Sequence, residues 1–85
     1  MAADEALRDL VEFLARSLVD EPAAVQVHAA AVAGGAVRIE LRVAPPDMGK
    51  VIGRQGRIAR ALRAVVRAAA VRHGVRVALD ITSTA

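Results

Sequence analysis

The amino-acid sequence predicts an α+β fold in the order α-β-β-α-α-β, with a three-stranded sheet packed against helices on one face. Three observations carry that prediction. Apolar residues recur at helical spacing over about 4–19 and 57–73, they alternate with polar residues over 37–43 and 75–81, and glycine or proline punctuates the chain at 34–35, 45–46, 53 and 74. A chain of 85 residues supports one small domain, 1–85, with little room for a deep substrate cleft, which favours a binding module over an enzyme.

The first helix follows from Leu7, Leu10, Val11, Leu14 and Leu18, which fall on one face. Asp4 and Glu5 sit in its first turn, where acids suit the helix dipole. Asp20-Glu21-Pro22 ends it. Val25, Val27, Ala29 and Ala31 then alternate with Gln26, His28 and Ala30 as a first strand, and Gly34-Gly35 reads as a hairpin turn. The second strand sets Val37, Ile39, Leu41 and Val43 inward against Arg38, Glu40 and Arg42 outward. Pro45-Pro46 stops it, because proline cannot donate to the ladder, and Asp47 is placed to cap a short helix over about Asp47 to Ile52. Gly53 breaks that helix. The third helix puts Ile58, Leu62, Val65 and Ala69 on one face and Arg60, Arg63 and Arg67 on the other, with Gly74 at its C-terminal cap. Val75, Val77, Leu79 and Ile81 form the last strand.

Composition narrows the function. Hydrophobic residues make up 55% of the chain but aromatics only 1%, with Phe13 the single one, so stacking of bases on Tyr or Trp is unavailable. The absence of cysteine excludes disulfides, thiolate zinc sites and a cysteine nucleophile, and fits a cytoplasmic location. Asp4, Glu5 and Asp9 stand where a signal peptide would be basic and then apolar, and no apolar run approaches the roughly 20 residues needed to cross a bilayer. The net charge of +3 conceals a segregation: residues 1–21 carry six acids against two arginines, whereas Lys50, Arg54, Arg57, Arg60, Arg63, Arg67, Arg72 and Arg76 follow one another with no acid among them. One part of the chain is built for polyanions. His28 and His73 are not at metal-ligand spacing with an acid, and Gly49-Lys50 lacks the remaining residues of a Walker loop, so neither a metal, a cofactor nor a catalytic constellation is expected.

The most informative stretch is Gly53-Arg54-Gln55-Gly56. Glycine tolerates φ > 0 and lets another molecule's backbone come close. A helix opening at Arg57 would turn its unpaired N–H groups and positive dipole end towards this loop, and Arg54 and Arg57 would add attraction for a phosphate. By itself G-x-x-G more often means a plain helix-to-helix turn.

Its context is more specific. Asp47-Met48-Gly49-Lys50-Val51-Ile52-Gly53-Arg54-Gln55-Gly56-Arg57 resembles the V-I-G-x-x-G signature of a KH domain, and the element order matches the type II arrangement. The run from Val43 to Ala70 and the minimal length are similar to the KhpA family of small bacterial single-KH-domain RNA-binding proteins. That resemblance implies a loop that holds the backbone of about four nucleotides while bases face an apolar groove. Gly53, Arg54, Gln55 and Gly56 would be the clamp and Lys50 and Arg57 its flanks. Val51, Ile52 and Ile58, with Ile39 and Leu41, would be the floor. Gly49 would permit either close packing of the short helix or close approach of RNA. The resemblance further implies a homodimer, a larger KH-domain partner of the KhpB kind, a role as RNA chaperone or post-transcriptional regulator, and a link to cell shape. Two other functions compete: a protein-interaction module whose RNA groove is secondary, and a binder of single-stranded DNA.

Overall fold

The computed structural model describes residues 2–85. Helix α1 (Ala3–Leu18) leads through a 3-10 turn (Pro22–Ala24) to strand β1 (Gln26–Val32) and strand β2 (Ala36–Val43). A second 3-10 turn (Pro45–Asp47) opens into helix α2 (Met48–Ile52), a third (Arg54–Gly56) joins it to helix α3 (Arg57–Arg72), and strand β3 (Arg76–Ser83) completes the sheet. The order α-β-β-α-α-β is therefore the observed one. β1 pairs antiparallel with β2, and β2 pairs parallel with β3, giving the spatial order β1-β2-β3.

Register explains which face is covered. Val27, Leu41 and Ile81 form one cross-strand row and Ala29, Ile39 and Leu79 the next, all turned towards α1 and α3. His28, Glu40 and Asp80 share a row on the opposite face, which no helix covers. The β1–β2 loop needs both its glycines at positive φ, and Arg76 fastens the start of β3 to it through its backbone N–H to the Gly35 carbonyl (3.3 Å) and its guanidinium to the Gly34 carbonyl (3.0 Å). Gly74, with φ 70°, ends α3, and the Val75 N–H reaches back to the Ala70 carbonyl (3.1 Å) in the bond pattern of a glycine-terminated helix.

Both long helices are rotated from the faces expected. The core side of α1 is Leu7, Val11 and Ala15, with Leu14 at its margin and Leu18 exposed. That of α3 is Ala59, Leu62, Val66 and Ala70, while Val65 is exposed. Alanines at 15, 59 and 70 let the helix backbones approach the sheet and lose no side-chain entropy on burial, so they take the innermost positions in place of larger residues. Arg63, expected on the solvent side, lies half-buried and donates to the Leu79 carbonyl of β3 (3.1 Å).

Asp47 also departs from expectation. Its side chain makes no capping bond to α2. It is buried, and its two carboxylate oxygens accept from the backbone N–H groups of Asp20 (3.2 Å) and Glu21 (3.0 Å), pinning the segment that leaves α1 onto the entrance of α2. Replacing Asp47 with alanine removes both charge-assisted bonds and should lower unfolding free energy by about 2–3 kcal/mol. Asp47→Asn, which keeps the shape and one good acceptor, should lose less. Urea denaturation of the two variants checks the order.

Candidate nucleic-acid interface

The site is built where α2 hands over to α3. α2 ends because Gly53 leaves the helical region (φ 76°, ψ 174°) after its N–H has bonded the Gly49 carbonyl (2.9 Å). A Cβ at position 53 would lie 2.6 Å from Ile58 Cγ1 and 2.9 Å from the Ile58 nitrogen, so glycine is required both by the backbone angle and by the close packing of Ile58. Gln55 is the only non-glycine among the described residues at positive φ (57°, ψ 25°), and Gly56 follows in the left-handed region (φ 72°) with open space around its missing side chain. Three departures within four residues, at Gly53, Gln55 and Gly56, fold Arg54-Gln55 into a projecting tip.

Neighbouring arginines hold that tip in place. Arg60 donates to the Gln55 carbonyl (3.2 Å), and Arg57 reaches the Gln55 side-chain oxygen (3.4 Å). Arg54 and Gln55 are the first two residues of the 3-10 turn, whose first bond is donated by the Gly56 N–H to the Gly53 carbonyl (3.1 Å), so their own N–H groups have no partner within that turn; among the described residues the Arg54 guanidinium takes part in no hydrogen bond or ion pair. α3 starts directly behind, so its positive dipole end points at the tip. Among the described residues none of the arginines from 54 to 76 is paired with an acid. Ion pairs among the described residues fall instead on Arg8 with Asp9 and Glu12, Arg42 with Glu40, and Lys50 with Asp20.

The expected site residues therefore divide. Gly53, Arg54, Gln55, Gly56, Arg57 and Lys50 come together at the loop, with Arg54, Gln55, Arg57 and Lys50 exposed; Ile52 and Ile58 are half-buried beside them. Val51, Ile39 and Leu41 are fully buried, so the floor expected from them belongs to the core and offers a ligand no surface. Alternation alone could not tell a groove lining from the covered face of a sheet. Lys50 is exposed but engaged by Asp20 at 3.1 Å, an acid that sequence reasoning left in the turn after the first helix. Also missed was an apolar groove of about 350 Å³ between α1 and α3, which begins at Arg57 and Ile58 and continues along Leu14, Leu18, Leu62 and Val65. The pairing of α1 with α3 that creates it has no local signal in the chain.

The chain matches the KhpA/KhpB KH-domain family over residues 8–81. It is 50% identical over 76 residues to the RNA-binding protein KhpA of Clostridium perfringens, an alignment covering 88% of this chain and 99% of that one. With the RNA-binding protein KhpA of Streptomyces coelicolor it shares 52% identity over 73 residues, covering 86% and 90%. Among solved structures, Aquifex aeolicus Era bound to GDP and aluminium fluoride superimposes with a TM-score of 0.70 at 17% identity, over 98% of this chain and 31% of that one. Era in complex with MgGDPNP and nucleotides 1506–1542 of 16S ribosomal RNA gives 0.62 at 15%, again over 98% of this chain and 31% of that one. At such identities the likeness is one of fold.

The two loop glycines should differ in what they tolerate. Gly53→Ala meets both left-handed strain and a 2.6 Å clash, whereas Gly56→Ala meets only the strain, about 1–2 kcal/mol. Thermal unfolding should show Gly53→Ala as clearly the more destabilised.

Proposed function

The chain belongs to the KhpA/KhpB KH-domain family, and on that premise we propose that it is a non-catalytic RNA-binding protein that clamps the backbone of short single-stranded RNA at the Gly53-Arg54-Gln55-Gly56 loop. The observation that carries this reading is the tip itself. The first two N–H groups of the 3-10 turn and an arginine with no ion-pair partner among the described residues project together from the positive end of a 16-residue helix, a constellation suited to phosphate oxygens. Lys50 and Arg57 flank it. Ile52 and Ile58 supply the apolar surface for bases, in place of the buried Val51. Single-stranded DNA presents the same phosphates and is the less favoured ligand. KhpA relatives carry RNA in their names, and the clamp has no feature that demands deoxyribose.

Recognition here is weak and backbone-centred. The one aromatic residue, Phe13, lies on α1 outside the loop, so the roughly 1–3 kcal/mol per base that stacking can add is missing. A second site raises the effective concentration for each contact, and we therefore include in the proposal a homodimer, association with a larger KH-domain protein of the KhpB kind, and action in the cytoplasm as an RNA chaperone or post-transcriptional regulator with consequences for cell shape. No helix of the structure is long and apolar enough to cross a membrane.

A second reading, a protein-interaction module, is favoured by the apolar groove between α1 and α3, which adjoins the loop at Arg57 and Ile58. The double substitution Arg54→Asp with Gln55→Asp separates the two. On the RNA reading it abolishes binding to single-stranded RNA in fluorescence anisotropy and removes crosslinks to RNA in cells, while the melting temperature and oligomeric state persist. On the other reading the substituted protein still supports cellular function. For the wild type, a clamp on about three phosphates should lose roughly twentyfold in affinity for a fourfold rise in salt; affinity indifferent to salt would contradict the mechanism.

A further inference from the structure

We infer that Asp20, in the turn that leaves α1, competes with RNA phosphate for Lys50 and so holds one cation of the clamp in reserve. This rests on the RNA-binding reading above and deepens it by naming the residue that restrains the site.

Pairing singles out Lys50. Eight basic residues follow one another from Lys50 to Arg76, and among the described residues Lys50 alone of them is engaged by an acid, its ammonium lying 3.1 Å from an Asp20 carboxylate oxygen. Stability does not explain the contact. The Asp20 side chain is 76% exposed and that of Lys50 43%, and an ion pair so open to water adds little to a fold.

Asp20 is nevertheless firmly placed. Its backbone N–H donates to one carboxylate oxygen of Asp47 (3.2 Å) and the Glu21 N–H donates to the other (3.0 Å). Asp47 is buried, where a carboxylate is costly unless such bonds compensate it, and it stands at the entrance of α2, the helix that carries Lys50. A buried anchor therefore sets residue 20 beside Lys50. The anchoring uses only the main chain of residue 20, so the fold asks for a residue there and not for an acid. The carboxylate makes the ion pair and no other hydrogen bond among the described residues. Lys50 is exposed beside the Gly53-Arg54-Gln55-Gly56 loop, so the acid is held at the edge of the proposed phosphate site.

This arrangement makes the two basic contacts unequal. Arg54 gives up no ion-pair partner among the described residues when it meets a phosphate. Lys50 gives up Asp20, whose carboxylate is then left unpaired beside a second negative charge.

The test uses the whole chain and a fluorescein-labelled, mixed-sequence single-stranded RNA in fluorescence anisotropy. Asp20→Asn keeps the backbone N–H that Asp47 holds and should melt close to the wild-type temperature. It should bind about threefold more tightly, the scale of one exposed ion pair. Its log–log salt slope should steepen by about 0.7, because one more phosphate is neutralised. The gain should vanish when Lys50→Gln is added, and Glu21→Gln, the same charge change one residue along, should bind as wild type does. An Asp20→Asn protein that binds no more tightly than wild type would overturn the competition. So would an equal gain from Glu21→Gln, or from Asp20→Asn in the Lys50→Gln background, since it would report the general charge of the segment and no specific hold on Lys50. In each of these cases the loop reading survives if the Arg54→Asp/Gln55→Asp protein fails to bind. If that double variant binds like wild type, the RNA-clamp reading itself fails, and this inference with it.

Discussion

Position 53 has no room for a side chain. Ile58 Cγ1 would stand 2.6 Å from a Cβ there, and the backbone angle of φ 76° is one that side chains rarely permit. This single steric constraint sets the rest of the site. Because Ile58 packs directly over bare backbone, the first turn of α3 is held against the end of α2, and three of the four residues between them, Gly53, Gln55 and Gly56, take positive φ to close the connection. The outward projection of Arg54 and Gln55 is the geometric result. Arg60 and Arg57 then fix Gln55 from the α3 side, so the tip is a shaped part of the helix junction and not a slack loop.

Charge is arranged around that junction by the same economy of parts. Acids are concentrated in α1 and the turn after it, where they are used locally: Glu12 and Asp9 on Arg8, Asp20 on Lys50. Asp47 turns inward and satisfies backbone N–H groups, which ties the acidic segment to the root of α2. The arginines of α3 have no acid partner among the described residues. Some still serve the fold, Arg63 through the Leu79 carbonyl, but their charges add to one positive field around the loop. A field and a few backbone contacts favour gripping a polyanion over reading its sequence.

Much of this was legible in the chain because the signals were local. Alternation at 37–43, helical spacing at 57–73 and the glycines at 53, 56 and 74 each reflect one element's own geometry, and the loop residues are neighbours in sequence. What sequence did not reveal depends on pairs distant along the chain. Asp47 resembles an N-cap until Asp20 and Glu21 are seen to meet it, and Val51 resembles a groove lining until it is seen to lie wholly within the core. The rotation of α3 has the same origin. Hydrophobicity favours Ile58 and Val65 as core, whereas the close approach of helix and sheet favours Ala59, Val66 and Ala70. Ile58 and Val65 are thereby released to the groove beside α1.

The central proposal is that the loop from Gly53 through Gly56 and the start of α3 hold a single-stranded RNA. Titration of the isotopically labelled protein with unlabelled single-stranded RNA, followed amide by amide in nuclear magnetic resonance, tests it most directly. The account predicts that the largest shifts fall on Gly53, Arg54, Gln55, Gly56 and Arg57, with His28, Glu40 and Asp80 on the uncovered face of the sheet unmoved. Shifts centred on that open face, with the loop amides stationary, would contradict it.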